Sequence, residues 1–190
     1  DNYQGPNGST PQGSLTSYGG KLYGTTYYGG STNEGVIFEF DPAGGGTYTK
    51  KADLTGNTGN YTTTTLTLLG SKLYGMAPYG GPYGVGAIFE YDPTGAGTVT
   101  RKIDFDGTEK GSYPFGDLSS VGGKLAGMTK EGGLNGFGTL FIYDPVGETF
   151  SKTKDFSQVT GGKPTGTLCV LGDVSPPVAR CKDITIQLRT

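Results

Sequence analysis

Short segments of alternating apolar and polar residues, separated by glycine-rich turns, recur along the chain. In the first unit of this pattern they cover residues 14–18, 22–26, 36–40 and 47–53. Their length and their period of two are typical of β-strands, and no stretch has the period of an amphipathic helix. The pattern therefore predicts an all-β protein whose strands are joined by tight turns.

One longer stretch occurs three times without gaps. It reads KLYGTTYYGGSTNEGVIFEFDP at 21–42, KLYGMAPYGGPYGVGAIFEYDP at 72–93 and KLAGMTKEGGLNGFGTLFIYDP at 124–145. The whole repeat has a period of about 51 residues and holds four short strand segments. Four strands joined by hairpin-length turns predict one four-stranded antiparallel sheet per unit, as in a β-propeller blade.

The repeat divides the chain into successive segments. These are the end of a preceding unit or connector (1–14), repeat 1 (15–65), repeat 2 (66–117), repeat 3 (118–167), the first strand of a fourth unit (168–174), and a Pro-rich linker with the first strand of a following domain (175–190). Propellers usually have about four to eight blades, so three units are too few to close a ring. We expect further blades upstream; an open or intermolecular stack of units is the alternative.

Both faces of the third strand of each unit are largely apolar. In the first unit Val36, Phe38 and Phe40 alternate with Ile37 and Glu39. In a sheet with one solvent-exposed face, apolar and polar residues would alternate more strictly along each strand. These strands are therefore expected to lie between neighbouring sheets. The predicted packing residues between blades are the repeated aromatics Phe38, Phe89 and Phe141.

Asp-Pro pairs and Gly-Gly pairs punctuate every unit. Proline cannot donate to a strand ladder and aspartate can bond its own backbone, so turn chemistry explains the Asp-Pro pairs; calcium coordination is the alternative. Glycine at fixed places suits turns that need a positive φ. The repeated turn residues are Asp41, Asp92 and Asp144 together with Gly30, Gly81 and Gly133.

Composition narrows the possible functions. Among 190 residues there are 37 Gly and 11 Pro, a proportion compatible with low-complexity disorder, but their constant spacing favours ordered turns. The net charge of −2 with scattered Lys and Arg argues against a nucleic-acid partner, and no apolar run is long enough for a membrane span. The absence of His excludes Ser-His-Asp and Cys-His catalysis and His-ligated metals.

Tyrosines cluster beside the Gly-Gly turns of the first two units. The candidate ligand-binding residues are Tyr27, Tyr28, Tyr79 and Tyr83. Tyrosine with flexible glycine suits sugar rings or a protein partner, although these side chains could instead cover neighbouring blades. The third unit carries Lys130, Glu131 and Leu134 in this region, so an aromatic site would not be repeated in every unit.

Carboxylate pairs are the remaining candidates for catalysis, as in glycoside hydrolysis. Asp104 and Asp106 are the closest pair, but Asp104 occupies a position that recurs as Asp53 and Asp155. A catalytic residue normally stands out against a repeat, whereas scaffold residues recur with it. We therefore predict no catalytic residue, no metal site and no cofactor.

The repeated motif resembles a known family. Lys-Leu-Tyr-Gly, Gly-Gly, Gly-x-x-Phe-x-x-Asp-Pro and a strand ending near Asp-Phe resemble the Gloeo/Verruco (GloVer) tandem repeat of large secreted bacterial surface proteins, over residues 1–171. The matching residues include 21–26 (KLYGTT), Gly80-Gly81, Gly86 with Phe89, and Asp104-Phe105. This resemblance implies a propeller-like fold and extracellular display, and it brings no catalytic residues.

The C-terminal tail is similar to the opening of Ig-like or HYR-like adhesin modules of Bacteroidota. The residues that carry this similarity are Pro177, Ala179, Cys181, Asp183, Ile184 and Thr185. In a secreted chain Cys169 and Cys181 are candidates for a disulfide that would brace the last repeat against the linker. Pairing of Cys181 with a cysteine of the following domain is the alternative.

These observations predict a non-enzymatic extracellular display or adhesion module, part of a large bacterial cell-surface protein. Its expected partners are other domains of the same protein and surface glycans or proteins. Two alternatives stay open: a lectin-like propeller that binds glycans through its tyrosines, and the scaffold part of a secreted hydrolase.

Overall fold

The computed structural model describes residues 5–95, 97–159 and 161–169, and every regular element in these ranges is a β-strand. The first sheet contains β1 (Ser9–Pro11), β2 (Thr16–Tyr18), β3 (Lys21–Tyr28), β4 (Val36–Asp41) and β5 (Thr47–Asp53). The second contains β6 (Thr67–Leu69), β7 (Lys72–Ala77), β8 (Ala87–Tyr91) and β9 (Val99–Asp104). The third contains β10 (Ser119–Val121), β11 (Lys124–Met128), β12 (Thr139–Asp144) and β13 (Thr149–Asp155).

Each sheet contains a meander of four strands in chain order, and in the first sheet β1 is a fifth strand; every strand pair is antiparallel. This confirms the predicted all-β class and the four-stranded antiparallel sheets. The strands of the first sheet also lie close to the predicted segments: β5 has the predicted bounds, β2 begins later, and β3 extends further.

The extension of β3 has a structural cause outside the repeat itself. β1 belongs to the segment predicted as a connector, yet it pairs with the end of β3, where Ser9 lies opposite Tyr28 and Pro11 opposite Thr26. Because this added ladder gives the last residues of β3 partners, the strand continues to Tyr28. The connector before each unit therefore contributes to the following sheet.

A β-bulge recurs between the last two strands of every sheet, which are β4 and β5, β8 and β9, and β12 and β13. In the first sheet Ile37 lies opposite Ala52 and Phe38 opposite Lys50, so the additional residue belongs to β5. The third strand keeps its alternation for that reason. Consecutive residues such as Ile88 and Phe89 consequently face two different cores.

The sheets pack face to face, with one core on each side of the second sheet. The first core, between the first and second sheets, contains Tyr23, Ile37, Leu54, Leu66, Leu73, Ala77, Phe89 and Tyr91. The second core, between the second and third sheets, contains Tyr74, Met76, Ile88, Phe105, Leu118, Leu125, Phe141 and Tyr143. The expectation that both faces of a sheet are covered by its neighbours is confirmed for the second sheet.

The outer face of the first sheet is more open than its counterparts. Leu15 is 49% exposed, whereas the equivalent Leu66 is 2% exposed. Phe38 on this face stacks on Tyr48 with ring centroids 4.9 Å apart, and Tyr48 is itself 42% exposed. Phe38 itself is 8% exposed and Phe89 is 0% exposed, so the same aromatic is buried in both sheets but fully enclosed only in the second.

The glycine of the KLYG motif lies under the repeated phenylalanine. Gly75 is opposite Phe89 in the β7–β8 ladder, and a Cβ added at Gly75 would overlap the Phe89 ring. Gly24 and Gly127 stand in the same relation to Phe38 and Phe141. A side chain at this position would displace the aromatic ring that fills the space between sheets.

Among the described residues, no helix has the length and apolar character needed to cross a bilayer. Of the two cysteines, Cys169 is half-buried, and Cys181 lies outside the described residues. The disulfide between them therefore stays a prediction. The residues predicted to open a following Ig-like domain, 175–190, likewise lie outside the described part of the chain.

Candidate binding site

The repeated aspartates of the Asp-Pro pairs make turn contacts. The Asp41 carboxylate accepts hydrogen bonds from the backbone N–H groups of Ala43 and Gly44, at 3.0 and 2.8 Å, which is Asx-turn geometry. Asp144 accepts equivalent bonds, and Asp92 accepts one from Thr94. Within the described ranges, no group of three or more His, Cys, Asp or Glu residues could hold a metal ion.

Each of these aspartates forms an ion pair with the lysine that begins the preceding strand of its sheet, which is β3, β7 or β11. Hydrogen bonds from Lys72 and from Thr94 lower the pKa of Asp92 to about 2. Lys124 lies 3.2 Å from Asp144, whose pKa is lowered by the backbone N–H of Gly147 and by this lysine. Asp92 and Asp144 are therefore ionised at neutral pH, and all three carboxylates are already occupied by protein donors.

A second set of repeated aspartates holds the Gly-Gly turns. Gly30, Gly81 and Gly133 have φ values of 83°, 74° and 73°, the left-handed region that favours glycine. Beside the first of these turns, Asp53 accepts a bond from the Ser31 N–H at 3.1 Å and pairs with Lys50 at 2.9 Å. The corresponding Asp155 accepts from Leu134.

The carboxylate pair considered for catalysis is engaged in structural contacts. Asp104 pairs with Arg101 at 2.7 Å, the ion pair of the repeated position. Asp106 accepts bonds from the N–H groups of Thr108 and Lys110 at 3.0 and 2.9 Å. Burial alone would raise the pKa of Asp106, but these bonds and the Lys110 ammonium outweigh it and lower the pKa. Asp106 is therefore not poised as a proton donor, and the Asp104 carboxylate is held by Arg101.

A continuous row of aromatic rings runs through the first two repeat units and ends beside the third. We call it the aromatic strip; its members are Tyr27, Tyr28, Tyr61, Tyr79, Tyr113 and Phe115. From Tyr27 the row passes to Tyr61 with 5.2 Å between ring centroids, and from Tyr61 to Tyr79 with 6.3 Å. Tyr79 then contacts Tyr113 at 5.8 Å and Phe115 at 6.1 Å. Most neighbouring rings meet edge to face, the geometry that aromatic pairs prefer.

Two local structures place these side chains in one row. Tyr27 and Tyr28 end β3, and Tyr79 follows β7 at the equivalent position. The connectors fold back onto these ends: Asn60 bridges to Tyr79 just as Ser9 bridges to Tyr28. Each connector thereby lays its own side chains beside the following sheet.

One connector residue in every unit has a left-handed backbone. Thr10, Tyr61, Tyr113 and Lys163 have φ values of 57°, 53°, 56° and 57°. A non-glycine residue in this region costs about 1–3 kcal/mol and persists only where its surroundings fix it. In the later connectors the backbone N–H of this residue is fixed by a loop of the same unit, as when Tyr113 donates to the Val85 carbonyl at 2.9 Å. The fold thus presents one side chain per unit in a constant geometry.

The same pair of positions carries rings in two units and charges in the third. Tyr28 contacts Tyr61 at 5.9 Å, and Tyr79 contacts Tyr113 at 5.8 Å. The equivalent pair in the third unit is Glu131 and Lys163, an ion pair at 3.4 Å. The aromatic strip therefore ends at the third unit, where a salt bridge occupies the two positions that hold a pair of rings in the first two units.

Lys130 marks this end of the strip. Its ammonium lies 5.1 Å from the centroid of the Phe115 ring, within cation–π distance. Its backbone N–H donates to the Tyr113 carbonyl at 3.1 Å. No carboxylate of the described residues lies within ion-pair distance of Lys130, in contrast to Lys163.

The strip is accessible yet ordered. All six aromatic side chains are half-buried. Burial raises the pKa of Tyr27, with smaller contributions from the neighbouring tyrosines, so its hydroxyl is neutral at physiological pH. The five tyrosine hydroxyls form no hydrogen bond with the described residues. The strip therefore combines rigid apolar rings with free hydroxyl groups.

Three of the four candidate tyrosines meet in the strip, and one does not. Tyr27, Tyr28 and Tyr79 are members, while Tyr83 is 64% exposed and makes no ring contact with described residues. Sequence reasoning missed Tyr61, Tyr113 and Phe115. The available signal was the alignment of the connectors with each other, since Tyr61 and Tyr113 occupy the same repeat position.

A family model described as the Gloeobacter/Verrucomicrobia repeat matches residues 1–175. The comparison with curated proteins found no match.

Proposed function

Because the chain belongs to the Gloeobacter/Verrucomicrobia repeat family, we propose that it is a non-enzymatic display and adhesion module of a large bacterial cell-surface protein. In this proposal the module is extracellular, and the aromatic strip is its adhesive surface. Other domains of the same protein would carry and anchor it.

The convergence of the variable repeat positions into one strip carries this proposal. Positions that agree between units are occupied by packing and turn residues such as Phe89, Gly75 and Asp92. Positions that differ, such as Tyr79 against Glu131, come together across the units. A constant scaffold with a variable, accessible strip is the arrangement by which repeat proteins bind partners.

Face-to-face packing of the sheets supports a propeller-like array. Each four-stranded meander covers the next, and one core lies on each side of the second sheet. The open outer face of the first sheet, with Leu15 half exposed, is the surface that a further unit would cover in such an array. A ring would need additional units of the same kind.

The structural roles of the carboxylates support a non-enzymatic function. The pKa values of Asp92, Asp106 and Asp144 are all lowered by hydrogen bonds or lysines, whereas a general acid needs a raised pKa. The strip itself contains no carboxyl group.

Adhesion can be measured with beads that carry the whole chain. We expect such beads to be retained under flow on immobilised mucin, on collagen or on both, and retention to fall at least fivefold when Tyr61→Ala and Tyr79→Ala are combined. Tyr83→Ala is the matched control, since this tyrosine lies outside the strip, and it should leave retention unchanged. Equal retention of wild-type and double-variant beads, with both proteins folded by circular dichroism, would contradict the proposal.

A further inference from the structure

We infer that the aromatic strip binds an extended glycan and that Lys130 receives an acidic sugar residue of that glycan. This inference rests on the proposed role of the strip as the adhesive surface. It specifies the chemical class of the ligand and the orientation of the ligand along the strip.

The shape of the strip favours a linear ligand. Rings from two successive units follow one another at centroid distances of 5.2, 6.3 and 6.1 Å from Tyr27 through Tyr61 and Tyr79 to Phe115. These steps are comparable to the length of one pyranose residue in an extended chain. A compact ligand would cover only one or two rings, whereas an extended one contacts the whole row.

The chemistry of the strip matches sugars. A pyranose ring has apolar C–H faces and hydroxyl edges, and tyrosine offers an apolar ring with a polar tip. The tyrosine hydroxyls are free of bonds to the described residues, so they are available to sugar hydroxyls. The rings pack against each other, which reduces the entropy lost when a ligand orders them.

An extended peptide is disfavoured because the strand edges beside the strip are already occupied. A peptide strand would need unpaired backbone groups on a sheet edge. Here the connectors bridge to Tyr28, Tyr79 and Glu131, the last through reciprocal bonds of 2.8 and 3.1 Å with Ser112. The strip therefore offers side chains and little free backbone.

The charged residues beside the aromatic strip differ between its two ends. Lys130 lies at one end with its ammonium over the Phe115 ring and without a carboxylate partner among the described residues. The neighbouring Lys163 is neutralised by Glu131. Near the other end, the backbone N–H of Tyr61 donates to the Glu34 carbonyl, and the Glu34 carboxylate accepts bonds from Asn60 and Gly56. Lys130 therefore offers an acidic sugar a positive charge that no carboxylate of the described residues already pairs.

Calorimetry with two oligosaccharides of equal length tests this inference on the whole chain. Hyaluronan hexasaccharide carries alternating carboxylates, and fully N-acetylated chitohexaose is its neutral counterpart. We expect Tyr61→Ala to weaken both by about fivefold or more, because stacking area is lost. Lys130→Gln should weaken only the hyaluronan fragment, by about tenfold, because a charge-assisted contact is lost. Tyr83→Ala should change neither.

Three results would overturn the inference in distinguishable ways. If Lys130→Gln leaves hyaluronan binding unchanged, the acidic residue does not lie at Lys130. If neither oligosaccharide binds while beads are still retained on collagen through the strip, the ligand is a protein and the adhesive function stands. If neither oligosaccharide binds and retention does not depend on the strip, both the glycan inference and the adhesive function fail. Thermal unfolding of each variant separates lost binding from lost folding.

Discussion

At the scale of single residues, the repeat is a set of packing and turn requirements. The Phe89 ring covers the backbone of Gly75 and is fully buried between two sheets. Its equivalent Phe38 makes the same contact with Gly24 but lies on the open face of the first sheet. The same residue in the same local structure therefore contributes different amounts of stability, because burial is decided by the neighbouring sheet.

Truncating these two rings tests that statement. Phe89→Ala should lower the free energy of unfolding by about 3–5 kcal/mol, the usual cost of removing a buried phenylalanine. Phe38→Ala, the matched control, should cost clearly less, because Leu15 and Tyr48 around it are already about half exposed. Urea denaturation of both variants measures the difference. Equal losses, or a loss below about 1 kcal/mol for Phe89→Ala, would show that the sheets do not enclose this ring.

At the scale of elements, the connectors between the sheets are harder to recognise in the sequence than the strands and turns. Each has a left-handed residue followed, in three of the four connectors, by proline: Pro11, Pro114 and Pro164. The second connector has Thr62 instead, fully buried and with a hydroxyl that lacks a hydrogen-bond partner. An unpaired buried hydroxyl is unfavourable, and threonine leaves the unfolded chain more freedom than proline does.

Thr62→Pro should therefore stabilise the protein. We expect a gain of about 0.4–1 kcal/mol from the reduced entropy of the unfolded chain, with a further gain from removal of the unpaired hydroxyl. The reciprocal change, Pro114→Thr, should destabilise the protein by a similar amount. Chemical denaturation of both variants measures the effects. A destabilised Thr62→Pro variant would show that the four connectors are not equivalent at this position.

A cross-strand pair also changes as a unit between sheets. In the second sheet the Tyr74 hydroxyl donates to Glu90 at 2.7 Å, and in the third the same two positions are the apolar pair Ala126 and Ile142. The first sheet has the polar version again, with Tyr23 donating to Glu39 at 2.6 Å. Both positions must change together, because either partner alone leaves a polar group without its hydrogen bond.

This coupling is measurable by a double-mutant cycle. Tyr74→Ala and Glu90→Ile should each destabilise the protein, and the double variant should be less destabilised than their sum by about 0.5–3 kcal/mol. Tyr74→Ala combined with Lys50→Ala, a change in another sheet, should be additive. Additivity of the Tyr74 and Glu90 changes would mean that the bond between them contributes nothing specific.

At the scale of the whole molecule, repeated carboxylate contacts stabilise the turns and loops of all three units. The pKa values of the turn and loop aspartates are lowered in the folded protein; these residues are Asp53, Asp92, Asp106, Asp144 and Asp155. A carboxyl with a lowered folded pKa binds fewer protons when folded than when unfolded. Its stabilising contribution is complete above the unfolded pKa and is lost as the pH falls through the folded value.

Stability should therefore fall in acid and not near neutral pH. The unfolded aspartate value is 3.8, and the folded value for Asp92 is about 2, so the melting temperature should begin to fall near pH 4 and continue to fall towards pH 2. Asp92→Asn is the control, since asparagine still accepts the Thr94 bond but does not titrate. It should make the acid loss shallower. A melting temperature that is constant down to pH 2 would contradict the folded-state contacts of these aspartates.

The sequence by itself determined the strands, the turns and the scaffold roles. Strand alternation is local, a positive φ selects glycine locally, and proline ends a ladder locally, so the bounds of β5 and the turn at Asp41 could be predicted from neighbouring residues alone. Comparison of the aligned units also identified Lys130 and Glu131 as residues that differ from their counterparts in the first two units. These predictions needed no knowledge of how the units pack.

Only the tertiary structure decided which tyrosines form a surface. Tyr61 and Tyr113 lie in connectors, far along the chain from the loops that hold Tyr27 and Tyr79, and they join them because each connector folds back onto the following sheet. Tyr83 shares the loop of Tyr79 but projects away from the strip into solvent. Sequence distance does not fix such contacts, because they depend on the path of the backbone between sheets.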